Sequence, residues 1–367
     1  MVDYLITRLL LGVALLALLV VIPWQLYQER QQVLAQMERR PDALVIMNWH
    51  DYLDLELVAE FEALHGVEVK LVYFEDSYHR SLMMQADGSR GVDLLVLNEH
   101  EVENYRDRGW LAAVDEQRIP NLLHLDPLWI SRYAYATTHA VPYLWGTTGL
   151  LYRSDLVSEP ITRWMEVFRP RAELMGQIQM FQDPRELLIP ALLALGYDVN
   201  TNNMEEYRLA IALIEQQRRD VRSYTLPLVE ERSPLVRGDV VVAMSYNGDA
   251  VRLQELNQNL TYVIPEEGCS LWMDFWVVME QSRNQELAYQ FLNFLNDPEN
   301  AARNAAYLHY APANRSAKTY LKEDFMENKT IFPERQVLER CVVQPQLPAW
   351  VRYQVDRNLM RLVEPRG

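Results

Sequence analysis

From residue 43 onward, short apolar runs alternate with amphipathic stretches. Ala43 to Met47 is a continuous apolar run of strand length. Leu55 to Leu64 carries apolar residues at helical spacing and stops at Gly66, a residue suited to a helix C-cap. Val67 to Phe74 alternates as a strand, and Ser77 to Ala86 suits a helix. Val92 to Leu97, apolar apart from Asp93, reads as a parallel strand covered on both faces. Glu101 to Arg108 reads as a helix ending at Gly109. Further on, the pattern predicts a strand at Ile178 to Phe181, helices at Glu186 to Leu195 and Met204 to Arg218, and a strand at Val240 to Met244. A helix at Gly248 to Leu256, a strand at Tyr262 to Pro265 and a helix at Asn284 to Asn296 follow, with Pro298 opening another. Strand–helix alternation of this kind predicts an α/β fold. The stretch Val141 to Tyr152 is aromatic and turn-rich and reads as a crossover between lobes.

The N-terminus differs from the rest. Leu9 to Trp24 is a nearly unbroken apolar run preceded by Arg8. It is long for a signal-peptide core and short for a membrane span, and no small-x-small cleavage pattern follows it. An uncleaved signal-anchor or transmembrane helix over residues 1–27 is the expectation, with 28–41 as a stalk. Most of the protein then lies outside the cytoplasmic membrane.

One apolar run carries an anomaly. Within Ser270 to Met279, an expected strand, Asp274 follows Trp272 and Met273. An unpaired buried carboxylate costs several kcal/mol or takes up a proton, so an acid beside a large ring invites an organic ammonium. If strand faces alternate instead, Asp274 points to solvent. Other expected strand ends are also rich in acids and aromatics: Asn48-Trp49-His50-Asp51-Tyr52, Asn98-Glu99-His100, Gln182-Asp183 and Ser245-Tyr246-Asn247-Gly248-Asp249. In open α/β sheets, ligands settle at such carboxyl ends.

Composition adds modest constraints. The 367 residues hold 35 Lys and Arg against 51 Asp and Glu, a net charge of −16. Such a field favours cationic partners and argues against nucleic acid. His50-Asp51 and His100-Glu101 lack metal-ligand spacing, no Gly-x-Ser-x-Gly element is present, and no glycine-rich phosphate loop appears. No metal, cofactor or enzymatic activity is therefore expected. Cys269 and Cys341 could pair in an oxidising compartment or remain separate buried thiols.

Ordered motifs sharpen this picture: Asn48-Trp49-x-Asp51-Tyr52, Val92-Asp93-Leu94-Leu95-Val96, Val141-Pro142-Tyr143-Leu144-Trp145-Gly146-Thr147-Thr148-Gly149, Asp183-x-Arg185-Glu186, Trp272-Met273-Asp274, Tyr310-Ala311-Pro312-Ala313-Asn314, and Gln344. Together, over Ala43 to about Gln346, they resemble the bacterial spermidine/putrescine (polyamine)-binding proteins. The resemblance implies a two-lobed periplasmic binding protein fold of type II, with hinged lobes closing on ligand. Lobe 1 is expected at 42–148 plus about 273–317, and lobe 2 at about 149–272 plus 318–367. It also implies capture of a polyamine for the inner-membrane permease of an ABC importer. A membrane-tethered receptor acting on a signalling protein, such as a cyclic-dinucleotide enzyme, is the alternative.

Matched position by position, the family's pocket falls on Trp49 and Tyr52 as aromatic clamp, Asp183 and Glu186 as amine acceptors, Trp272 and Asp274 as the ring-and-acid pair, and Tyr310 and Gln344 as late pocket residues. Asp249 matches an acid of putrescine-type members. Some positions depart from the family's pattern: Asn98 stands for a serine, Tyr246 for a tryptophan, His50 for a threonine or serine, and His100 for an aromatic or small polar residue. A cleft-lining His100 must be neutral to tolerate a diamine, which predicts weaker binding as pH falls through roughly 6 to 6.5.

Overall fold

The computed structural model describes residues 43–74, 77–87, 91–134, 136–343, 347, 350 and 351. The expected anchor and stalk (1–41) and Gln344 lie outside them. Among the described residues no helix is long and apolar enough to cross a membrane.

The strands are β1 (Ala43–Trp49), β2 (Glu68–Phe74), β3 (Leu94–Asn98), β4 (Val141–Arg153), β5 (Ile178–Met180), β6 (Val221–Tyr224), β7 (Val242–Tyr246), β8 (Leu260–Val263), β9 (Ser270–Val278), β10 (Ala311–Pro312) and β11 (Val342–Val343). They connect in the order β2-β1-β3-β9-β4-β7-β5-β6, with β8 and β10 on β4 and β11 on β9. β1 runs parallel to β2 and β3, as β5 does to β6 and β7, while β9 is antiparallel to β3 and β4. Parallel strands need helical crossovers, which cover both faces, so their apolar residues need not alternate. All but the last residue of β1 and β3 are accordingly buried. The helix Leu55–His65 shows why the local pattern was readable. The Asp54 side chain accepts from Glu56 N, and Gly66, at φ 65°, closes the C-terminus through a bond to Glu62 O.

Two large apolar cores flank the middle of the sheet. One gathers β1, β3, β9 and the N-terminal part of β4 with helix Gln285–Leu295 and reaches Ile331 and Cys341. The other is built from Leu150, Tyr152 and residues between Ile161 and Met244, with Val351. β4 belongs to both. Its residues Val141 to Thr147 pair with β9, and Thr148 to Tyr152 pair with β7. The stretch expected to be turn-rich is thus one 13-residue strand. Its Pro142 is accommodated by a register shift between Pro142 and Trp145, the irregularity that lets a sheet carry a residue with no N–H to donate. Edge strand β6 is polar and short, and apolar periodicity does not reveal it.

Cys269 and Cys341 form a disulfide across 72 residues, with their Cα atoms 4.5 Å apart. It staples the start of β11 to the start of β9, where Val342 pairs with Ser270.

Candidate ligand-binding site

β9 decides the question that its sequence leaves open. All nine of its residues are buried, so neither face meets solvent, and Asp274 is only 5% exposed. Burial pushes its carboxyl up to about 7; Tyr52, Arg80 and Asn98 hold the rise back, and Glu101 adds to it. The antiparallel register sets Asn98 opposite Asp274, and Asn98 Nδ2 donates to Asp274 Oδ1 at 3.1 Å.

The rings follow from strand and helix ends. Tyr52, in the loop after β1, meets Tyr143 at 5.6 Å and Tyr310 at 5.9 Å between centroids. Tyr310 stands edge-on to Trp272 at 5.1 Å, and Trp272 to Tyr246, at the end of β7, at 5.7 Å. Tyr246 continues the series to Phe181 at 4.7 Å. The helix Asn247–Leu256 starts hard against this row: a Cβ at Gly248 would run into the Tyr310 ring, so that position admits only glycine without displacement. The Tyr52 hydroxyl is shielded, has no hydrogen-bond partner of ordinary geometry, and stands near enough to Asp274 for each to shift the other's titration. The Trp272 indole N–H is buried without an acceptor as well.

Carboxyl groups arrive from both cores. Asp183 caps the helix Pro184–Ala194, accepting from Arg185 N at 2.8 Å, and Glu186 sits in that helix's first turn. Burial raises the Tyr246 phenol well above its ordinary value, and Glu186, Asp183, Asp274 and Tyr310 raise it further. Asp249 lies in the first turn of the helix Asn247–Leu256. Burial lifts its carboxyl to about 6, against the pull of Arg252 and of Tyr310, which it meets.

His100 is half-buried. Burial lowers its pKa below the ordinary 6.5; Glu101 and Asp183 act to raise it, Arg185 and Arg80 to lower it. It therefore touches the fields of both halves of the site. Trp49 packs on Phe74 at 4.4 Å, with the Arg80 guanidinium over its ring at 5.6 Å. His50 is exposed and pairs with Asp51, which adopts φ 52°.

Two residues escape the sequence reading. Glu99, the first residue of helix Glu99–Asp107, is 1% exposed and accepts from Met273 N at 3.2 Å. Arg80 is fully buried and ion-paired with Glu101. Among the described residues no group of three or more His, Cys, Asp or Glu is arranged to hold a metal ion.

Carboxylates and aromatic edges converging from two α/β cores are what a ligand-enclosing protein needs. The family of bacterial extracellular solute-binding proteins matches residues 56–334 of the chain. This chain belongs to that family. It is 30% identical over 303 residues to the norspermidine sensor of Vibrio cholerae, covering 82% of this chain and 83% of that protein. It is 28% identical over 314 residues to the putrescine-binding periplasmic protein PotF of Escherichia coli, covering 80% and 84%. Among solved structures, the spermidine/putrescine ABC transporter substrate-binding protein PotD of Streptococcus pneumoniae superposes with a TM-score of 0.75 at 26% identity, covering 88% of this chain and 98% of that one. The chain is thus a solute-binding protein similar to polyamine-binding members of its family.

Proposed function

We propose that this protein is an extracytoplasmic polyamine-binding protein of putrescine/spermidine type. The observation that carries the reading is the buried Asp274 beside Trp272 and Tyr52, with Tyr246, on which Asp183 and Glu186 of the other core act, against the Trp272 ring. A linear polyamine is a chain of methylenes between ammonium groups. Rings accept the methylenes and stabilise each cation by roughly 1–2 kcal/mol when desolvated. Carboxylates placed along the slot match the nitrogens and so select length. Trp49, Tyr52, Asn98, His100, Asp183, Glu186, Tyr246, Asp249, Trp272, Asp274 and Tyr310 supply this lining, and Gln344, next to β11, completes the set.

In this reading the two cores are hinged lobes that turn about β4 near Thr147 and Thr148; the expected bounds (42–148 plus about 273–317, and about 149–272 plus 318–367) shift, because Cys269 to Trp272 and the segment from Phe325 to Cys341 pack in the first core. Closure excludes water, which strengthens every charge contact inside. The protein binds its ligand without transforming it, is periplasmic, is tethered to the inner membrane by residues 1–27, and hands the polyamine to the permease of an ABC importer. The 30% identity to a norspermidine sensor supports a second reading, a tethered receptor acting on a membrane signalling protein.

Differential scanning fluorimetry and calorimetry with putrescine, cadaverine, norspermidine, spermidine and amino acids test the core of this. At a hundredfold excess over its dissociation constant a ligand stabilises by about 2.7 kcal/mol. A rise in melting temperature with polyamines alone is expected; no shift with any of them refutes the assignment.

The pH dependence follows from the acids. A bound ammonium favours ionised carboxylates, and the free-protein values near 7 for Asp274 and 6 for Asp249 mean that protons compete as pH falls. Affinity should drop roughly 100-fold between pH 8 and 5.5 if both groups must ionise. His100, held neutral by burial, titrates below the window expected for a free histidine, so the carboxyls supply this dependence. Calorimetry giving a constant affinity across that range would show that neither acid touches the ligand.

A further inference from the structure

β4 changes partners between two residues: Thr147 still pairs with β9, and Thr148 pairs with β7. At that point side chains take hold of the main chain. Thr147 N–H donates to Asn247 Oδ1 at 3.1 Å, and Thr147 C=O accepts from the Tyr262 hydroxyl at 3.0 Å. The same hydroxyl meets Thr147 Oγ1 at 3.1 Å. Asn247 is fully buried and opens the helix Asn247–Leu256. Ala250 and Leu253 of that helix pack in a small core with Leu151, Ala243 and Leu260 of β4, β7 and β8. The other end of the Asn247 amide reaches the opposite way: Nδ2 donates at 3.0 Å to Thr330 O, next to Ile331 of the first core. One amide therefore joins the partner change in β4, a helix start on the second lobe's side, and the first core. The slot is its neighbour. Tyr246 precedes Asn247, Gly248 and Asp249 follow it, and a Cβ at Gly146 would run into both Asn247 Oδ1 and the Trp272 ring. In this arrangement Asp274, Trp272 and Tyr310 are at most 6% exposed, so the amide makes both bonds while the slot is covered.

We propose that Asn247 is a positioning residue for lobe closure: its amide latches the second lobe to the first across the hinge and slows release of the ligand. This rests on the polyamine reading and on the hinge at Thr147 and Thr148. Opening the lobes draws the helix start away from Thr330 and breaks that bond, while the bond to Thr147 N–H keeps the amide on the hinge strand. A contact made only in the closed state stabilises every closed complex by the same amount, whichever ligand is inside. Asn247 thus sets residence time and leaves the choice of ligand to the slot.

Calorimetry and stopped-flow tryptophan fluorescence at pH 8, on the full-length protein with spermidine and putrescine, test it. Asn247→Ala is expected to weaken both amines by the same factor, about 3- to 10-fold for one lost hydrogen bond between the lobes, through faster release with association unchanged. Tyr262→Phe removes the hydroxyl on the same Thr147 peptide from outside the slot; it serves if Asn247→Ala does not fold, and it is expected to speed release of both amines alike. A lower melting point with both affinities kept within threefold makes Asn247 a structural residue only and overturns its role in closure. Unequal losses for the two amines, or a loss carried by slower association, overturn it too, because they place Asn247 against the ligand or its entry. In each of these outcomes the polyamine reading stands; wild-type protein that binds neither amine overturns that reading as well.

Discussion

Asp274→Asn is expected to raise the dissociation constant for spermidine by at least about 30-fold, since losing one partner of a buried, hydrogen-bonded charge pair costs roughly 2–5 kcal/mol. Asparagine has nearly the same shape and keeps an oxygen for Asn98 Nδ2, which now donates at 3.1 Å, so the junction of β3 and β9 survives. Stability should move the opposite way. The folded-state pKa of Asp274 is about 7, above its ordinary 3.8, so the folded state holds a proton that the unfolded state releases. That difference opposes folding progressively as pH rises from about 4 to 7, to an upper limit of roughly 4 kcal/mol. The ligand-free variant should therefore melt several degrees higher than wild type at pH 8, with the gap closing towards pH 4. Calorimetric titration and thermal melts at both pH values check the pair of effects. A variant that binds spermidine within threefold of wild type places the ligand somewhere other than β9.

Breaking the Cys269–Cys341 bridge should cost about 4 kcal/mol, from the loop-closure entropy that a 72-residue separation removes from the unfolded chain. For a protein of this size that corresponds to a fall in melting temperature on the order of 5–10 °C. Both sulfurs are buried at the point where β11 joins β9, so the double Cys→Ala variant is a gentler probe than serine, which would leave hydroxyls without partners. The bridge also holds the chain that leads into Gln344 alongside Ser270 and Leu271. Polyamine affinity should fall with it. Melting of wild type with and without reductant, beside the variant, is the measurement; a difference under 1 °C would mean that the two cysteines remain thiols.

Local chemistry made much of this architecture readable. Gly66 ends its helix because only that geometry closes the last turn cheaply, and Leu94 to Leu97 announces a covered strand because nothing polar interrupts it. Asp274 was conspicuous for the same reason, as a charge placed where its neighbours exclude water. Glu99 was not. A first-turn acid is ordinary in any helix, and what makes this one unusual is β9, more than 170 positions later, together with a helix from the opposite core. Arg80 lies in a stretch whose charged residues look solvent-facing, and its burial depends on Glu101 and Trp49. β4 spans both cores as a crossover would, but Pro142, Gly146 and Gly149 signal turns locally, whereas the partner strands on either side keep it extended. Long-range pairing is what single-chain periodicity leaves out.

The position of β9 has a consequence for biogenesis. It lies between β3 and β4 at the centre of the sheet, yet it is synthesised long after both. At roughly 5–20 residues per second, the gap between finishing β3 and finishing β9 lasts on the order of 10–40 seconds. Throughout that interval β3 and the leading part of β4 expose apolar edges with no strand to join them. A nascent chain built this way cannot finish its amino-terminal globule as it leaves the ribosome. It stays open, with those apolar edges exposed to aggregation, until β9 has been made.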